Sequence, residues 1–110
     1  MNQEVQKDWL EELRSGKYAK GKHHLKNIDG KFCCLGILCE IWKNKVQPEK
    51  QWQPGLTALG QAYKMINSYS IPAKPILDWA GIDTNIACFL GKLNDDTETF
   101  EEVIAEIEKL

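Results

Sequence analysis

The chain has 110 residues, with 43% hydrophobic and 27% charged side chains and a formal net charge of −2. That length sets one domain of roughly 6,200 Å² folded surface, with about two-thirds of the unfolded surface removed from water. These values exclude a disordered chain, a coiled-coil rod, a multidomain enzyme, a strongly cationic nucleic-acid binder and a heavily acidic DNA mimic.

In chain order, residues 2–15 read as an amphipathic helix. Val5, Trp9 and Leu13 recur every four residues, and Gly16 suits a helix end. Residues 17–31 have no helical period, and Asp29-Gly30 signals a tight turn, so a short hairpin is predicted near residues 25–34, pairing Leu25–Ile28 with Lys31–Cys34. Phe32 to Trp42 is almost wholly apolar and reads as a buried central helix, with Gly36 marking close packing. Residues 43–55 read as a loop whose Trp52 either covers the core or contacts a partner.

Leu56, Leu59, Ala62, Tyr63 and Ile66 suggest a helix over 56–66. Pro75 fits the first turn of a short helix that Gly81 ends. Ile86, Phe89, Leu90 and Leu93 mark the next helix, and Asn94-Asp95-Asp96 is placed as an Asx turn before the last one. Thr99 and Glu102 have capping-box spacing ahead of Phe100, Val103, Ile104, Ile107 and Leu110. The expected fold is mainly α: a compact single domain, 1–110, of about five helices with the short hairpin.

Charge is split along the chain. Arg14, Lys17, Lys20, Lys22, Lys26 and Lys31 face only Asp29 within residues 14–31. Asp95, Asp96, Glu98, Glu101, Glu102, Glu106 and Glu108 face only Lys109 within residues 94–110. One basic loop and one acidic helix follow. Four cysteines (Cys33, Cys34, Cys39 and Cys88) lack zinc-ligand spacing and read as small core hydrophobes. The polar Met1–Glu12 stretch is no leader, and no run approaches the ~18 apolar residues of a membrane span, so an intracellular, cytoplasmic protein with reduced thiols is expected.

Three segments carry a resemblance. They are Trp9-Leu10-Glu11-Glu12-Leu13-Arg14-Ser15-Gly16-Lys17-Tyr18 with Gly21, then Phe32-Cys33-Cys34-Leu35-Gly36-Ile37-Leu38-Cys39, then Leu93-Asn94-Asp95 with Thr99-Phe100. In this order they resemble an uncharacterised family of small proteins from tailed phages and prophages, with WLxxLRSGxY, CCLGxLC and LNDxxxTF motifs. Lys20, His23 and Thr97 depart from the residues usual there, which are Gln, Gly and Gly. The resemblance implies a phage accessory product, of the kind directed at host defences, and brings no enzymatic activity with it.

The candidate ligand-binding residues are Arg14, Ser15, Gly16, Lys17, Tyr18, Lys20, Lys22, His23 and His24, with Asn94 and Asp95 for a ribose hydroxyl or base edge. Glycines let backbone N–H groups approach an anion, cations add charge-assisted hydrogen bonds, and Tyr18 offers a stacking face. The bland alternative is a solvated basic loop tied to the acidic last helix by Arg14 and Tyr18. No cofactor or metal is called for.

The first expectation is therefore non-catalytic sequestration of an anionic nucleotide. The second is a protein-binding inhibitor or regulator of a host factor, suggested by the acidic helix and by Trp9, Trp42, Trp52 and Trp79, some of which suit a self-association surface. The third is nucleotide chemistry at His23 or His24. Membrane contact and groove-reading of nucleic acid are not expected.

Overall fold

The computed structural model describes all 110 residues. Helix α1 (Gln3–Arg14) opens on Asn2, whose side-chain oxygen accepts the backbone N–H groups of Glu4 and Val5. Its Val5, Trp9 and Leu13 stripe is buried, and Gly16 takes φ +76° just beyond the end, where a side chain would be strained. Strand β1 is short, Lys26–Asn27. Helix α2 (Cys34–Val46) is the core of the domain, with residues Cys34–Cys39 all buried.

Gly36 explains how α2 sits so deep. A Cβ there would lie 1.8 Å from the Leu25 carbonyl oxygen, so only glycine admits the strand-entry backbone against the helix. Strands β2 (Gln53–Thr57) and β3 (Gly60–Lys64) form an antiparallel hairpin. The sheet order is β1-β3-β2, with Lys26 opposite Tyr63 and Asn27 opposite Ala62. Helices α3 (Lys74–Ala80), α4 (Thr84–Asp96) and α5 (Glu101–Glu108) complete the chain. α1 packs on α2 and α5, and α4 packs on both α2 and α5.

The five helices and small sheet agree with the mainly α expectation, and five local readings change, the first being the expected 43–55 loop, which narrows to 47–52 because α2 continues to Val46 and β2 begins at Gln53. Residues 56–66 form a hairpin, not a helix, and the supposed stripe is split: Ala62 is buried in β3, whereas Leu56 is 78% and Leu59 71% exposed at the turn. Gly60 at φ +110° turns the chain instead.

Near residues 25–34 the predicted turn is present, with Asn27 N–H donating to the Lys31 carbonyl and Lys26 bridging Phe32. The ladder of β1, however, is made with β3. Asn94, Asp95 and Asp96 form the last turn of α4 rather than a link after it. At α5 the capping box is not formed: Thr99 Oγ1 accepts from Glu101 N, and Phe100 holds the cap position.

Candidate functional site

The loop between α1 and β1 carries eight of the eleven candidate residues, with Arg14 at the end of α1 just before it, and side-chain bonds tie most of it down. Ser15 Oγ donates to the Glu12 carbonyl and accepts from Lys17 N–H. Arg14 pairs with Glu108 of α5 at 3.0 Å, Lys17 with Glu12 at 3.0 Å, and Lys22 with Glu98 at 3.8 Å. Tyr18 packs edge-on against Phe32, with ring centroids 5.0 Å apart. Burial first, then the Glu12 and Glu40 carboxylates, push its hydroxyl up to about 12.

The second half of the loop is latched to the C-terminal turn of α4. Lys20 Nζ donates to the Asn94 carbonyl and, at 2.6 Å, to the Thr97 carbonyl. These acceptors sit at the negative end of the helix dipole. Burial, then Lys22, lower this ammonium from the usual lysine range. His23 takes φ +70°, donates its backbone N–H to Asp95 Oδ1 at 2.9 Å, and sets its ring Nδ1 3.4 Å from Asp95 Oδ2.

Asn94 is wholly buried. Its Oδ1 accepts from Cys34 N–H at 3.1 Å, and its Nδ2 donates to the Gly21 carbonyl at 3.0 Å. Cys34 opens α2, so its N–H has no acceptor within the helix; Asn94 supplies one from sixty residues away.

His24 turns the other way, to the sheet. It is buried, and its Nε2 lies 3.0 Å from Thr57 Oγ1. The Thr57 hydroxyl donates to the Gly60 carbonyl at 2.8 Å and accepts from Leu59 N–H at 3.1 Å. Its single proton is thereby used, so His24 Nε2–H is the donor. This network fixes the β2–β3 turn, which projects Leu56 and Leu59 into solvent.

Thus Lys20, His23, Asn94 and Asp95 come together as a latch, Arg14 to Lys17 form a separate ion-paired corner, and His24 supports the hairpin. Of the eleven, only Tyr18 lines a hollow, a cleft of about 180 Å³ shared with Asp8, Glu11, Glu12, Ile41, Asn44 and Lys45. Cys33, Cys34 and Cys39 are buried, and Cys88 is exposed. No group of three or more His, Cys, Asp or Glu side chains is placed to hold a metal. No helix is long and apolar enough to cross a membrane.

Sequence reasoning missed the hairpin tip, whose leucines fit a helical stripe equally well. It also missed the ring of Phe32, Trp52 and Tyr63 around Lys26 Nζ, at 5.3, 5.7 and 4.8 Å from the ring centroids. Those rings lie too far apart in sequence to signal one another.

The fold and its latch define a small α-rich domain in which the basic loop is stitched to the ends of α4 and of the hairpin. The chain belongs to the family described as "Domain of unknown function (DUF8296)", whose model matches residues 1–110. No curated protein matches it. No solved structure matches it either.

Proposed function

We propose that this protein is a non-catalytic protein-binding module that engages a partner through the tip of the β2–β3 hairpin. The observation that carries the reading is a pinned turn with exposed leucines. Thr57 is held from three sides, while Leu56 and Leu59 stay 78% and 71% exposed. Ile28, 43% exposed, follows β1 at the same end of the sheet, since Asn27 pairs with Ala62 near the turn. Adjacent aliphatic side chains on a rigid support lose little entropy on binding and gain by leaving water. In the phage setting that the motif resemblance implies, the partner is a host factor met in the host cytoplasm, and the module an anti-defence inhibitor.

A second reading keeps the anionic nucleotide at the basic loop. Its support is that Arg14 and Lys22 are held only by solvent-facing ion pairs, and that Lys17 is 63% exposed although the Glu12 oxygen it pairs with is buried. Such pairs contribute about 0–1 kcal/mol each, so a polyanion could displace the carboxylates.

The test is capture of host-lysate proteins by the wild type and by a Leu56→Ser, Leu59→Ser double variant. Burial of the two leucines is worth about 2–4 kcal/mol after ordering costs, or roughly 30- to 1,000-fold in Kd. A specific partner lost in the variant, with an unchanged melting temperature, supports the tip. A partner retained by the variant overturns it. No partner, together with a thermal shift by a nucleotide that Lys17→Ala abolishes, supports the second reading.

A further inference from the structure

The structure assigns a phosphate-binding groove at the opposite end of the same hairpin, independent of the docking role of its tip. The groove holds about 200 Å³ and is lined by Lys50, Gln51, Gln53, Lys64, Ile66 and Asn67. Gln53 and Lys64 face each other across β2 and β3, so their side chains leave the same side of the sheet. Ile66 and Asn67 form the next wall as the centre of a two-residue turn, closed by Met65 N–H to the Ser68 carbonyl and Ser68 N–H to the Met65 carbonyl.

Three observations point to an anionic ligand. The groove's charges are two ammonium groups, and no carboxylate lines it. Neither Lys50 nor Lys64 belongs to any of the nine ion pairs, in contrast to Arg14, Lys17 and Lys22 of the basic loop. The amides of Gln51, Gln53 and Asn67 make no hydrogen bond within the protein, and Lys50 is likewise free, while the Lys64 ammonium stands 6.0 Å from the centroid of the Tyr69 ring and has no carboxylate partner.

The backbone holds one wall of the groove in place. Ile66 stands at φ +49° and Asn67 at φ +60°. Asparagine tolerates this region, but a β-branched residue there is a genuine outlier. The two Met65–Ser68 hydrogen bonds impose it, since a two-residue hairpin turn requires positive φ at both centres. Here it fixes one wall of the groove. The volume is smaller than the roughly 300–1,000 Å³ of a pocket that encloses a whole drug-sized ligand. It suits a phosphate head between two ammonium groups and amide donors, with the rest of the ligand lying outside. The ligand class is a small phosphate monoester.

The experiment is an amide chemical-shift titration of the full chain with inorganic phosphate, adenosine 5′-monophosphate and adenosine, at constant ionic strength. Inorganic phosphate and the monophosphate are expected to produce saturable shifts at Lys50–Gln53 and Lys64–Asn67, and adenosine none. A Lys50→Ala, Lys64→Ala variant, which breaks no ion pair and only the cation–π contact of Lys64 with Tyr69, is expected to bind at least about tenfold more weakly at an unchanged melting temperature. The proposal is overturned by shifts centred on Arg14–His24, by equal affinity in the double variant, or by no saturable shift up to about 10 mM ligand, a concentration beyond millimolar binding.

Discussion

Removing the Asn94 side chain is the most direct test of the latch. Asn94→Ala takes the acceptor from Cys34 N–H and the donor from the Gly21 carbonyl, at a position with no solvent exposure. Each buried backbone group left unpaired costs about 1–3 kcal/mol, which gives about 2–6 kcal/mol for the pair. In a domain of this size 1 kcal/mol shifts the melting temperature by roughly 4–8 °C, so a fall of roughly 8 °C at the least, and up to about 50 °C, is expected. Scanning calorimetry measures the fall, and hydrogen exchange at the Cys34 amide locates it. Asn94→Asp keeps an acceptor for Cys34 but loses the donor and buries a carboxylate, so it is expected to be at least as damaging at neutral pH. A fall below about 5 °C for Asn94→Ala, with Cys34 exchange unchanged, would refute the reasoning.

Gly36→Ala and Gly91→Ala should separate clearly in thermal melts. The first sets a Cβ 1.8 Å from a backbone oxygen and should cost about 3 kcal/mol or more, whereas the second meets Leu35 Cδ1 at 3.3 Å and should stay within about 1 kcal/mol of wild type. A Gly36→Ala protein of wild-type stability would contradict the packing of Leu25 on α2. Tyr18 carries a pH prediction. Its hydroxyl is raised to about 12 by burial and by Glu12 and Glu40, so the folded state holds its proton more tightly than the unfolded state. The associated stability is fully present below pH 10 and is lost as pH rises through about 12. Denaturant midpoints at stepped alkaline pH should therefore fall less steeply for Tyr18→Phe, and identical slopes would rule this contribution out.

The helices were legible wherever burial followed the helical period. Val5, Trp9 and Leu13 bury one face of α1, and Pro75 and Gly81 bracket α3, because these signals are local. The hairpin was illegible for the complementary reason. Leu56, Leu59 and Ala62 fit a helical stripe, and only the tertiary fact that both leucines face water distinguishes a strand pair. Gly36 declared close packing but not its neighbour, since Leu25 lies eleven residues back across a turn. Of the candidate site, the tie from Arg14 to the acidic last helix followed from charge balance. The Lys20 bonds to the α4 carbonyls did not, because a backbone acceptor leaves no trace in residue type.

The three motif segments meet at one place, and their polar atoms are largely spent there on one another. Gly21 and Lys20 from the first bind Asn94 from the third, Asn94 binds Cys34 from the second, and Trp9 Nε1 donates to the Cys34 carbonyl at 2.9 Å. Such mutual satisfaction specifies a fold and leaves few groups for a ligand. Recognition then falls to side chains the motifs omit, and the β2–β3 hairpin offers them at both ends. Its mode of contact is also constrained. β2 is a free edge of the sheet, but Pro54 removes an N–H from it, which disfavours extension by a partner strand. A partner at the tip must therefore read Leu56 and Leu59 themselves rather than the backbone beside them. Substituting those two side chains should consequently remove most of the affinity, with little of it surviving through main-chain pairing.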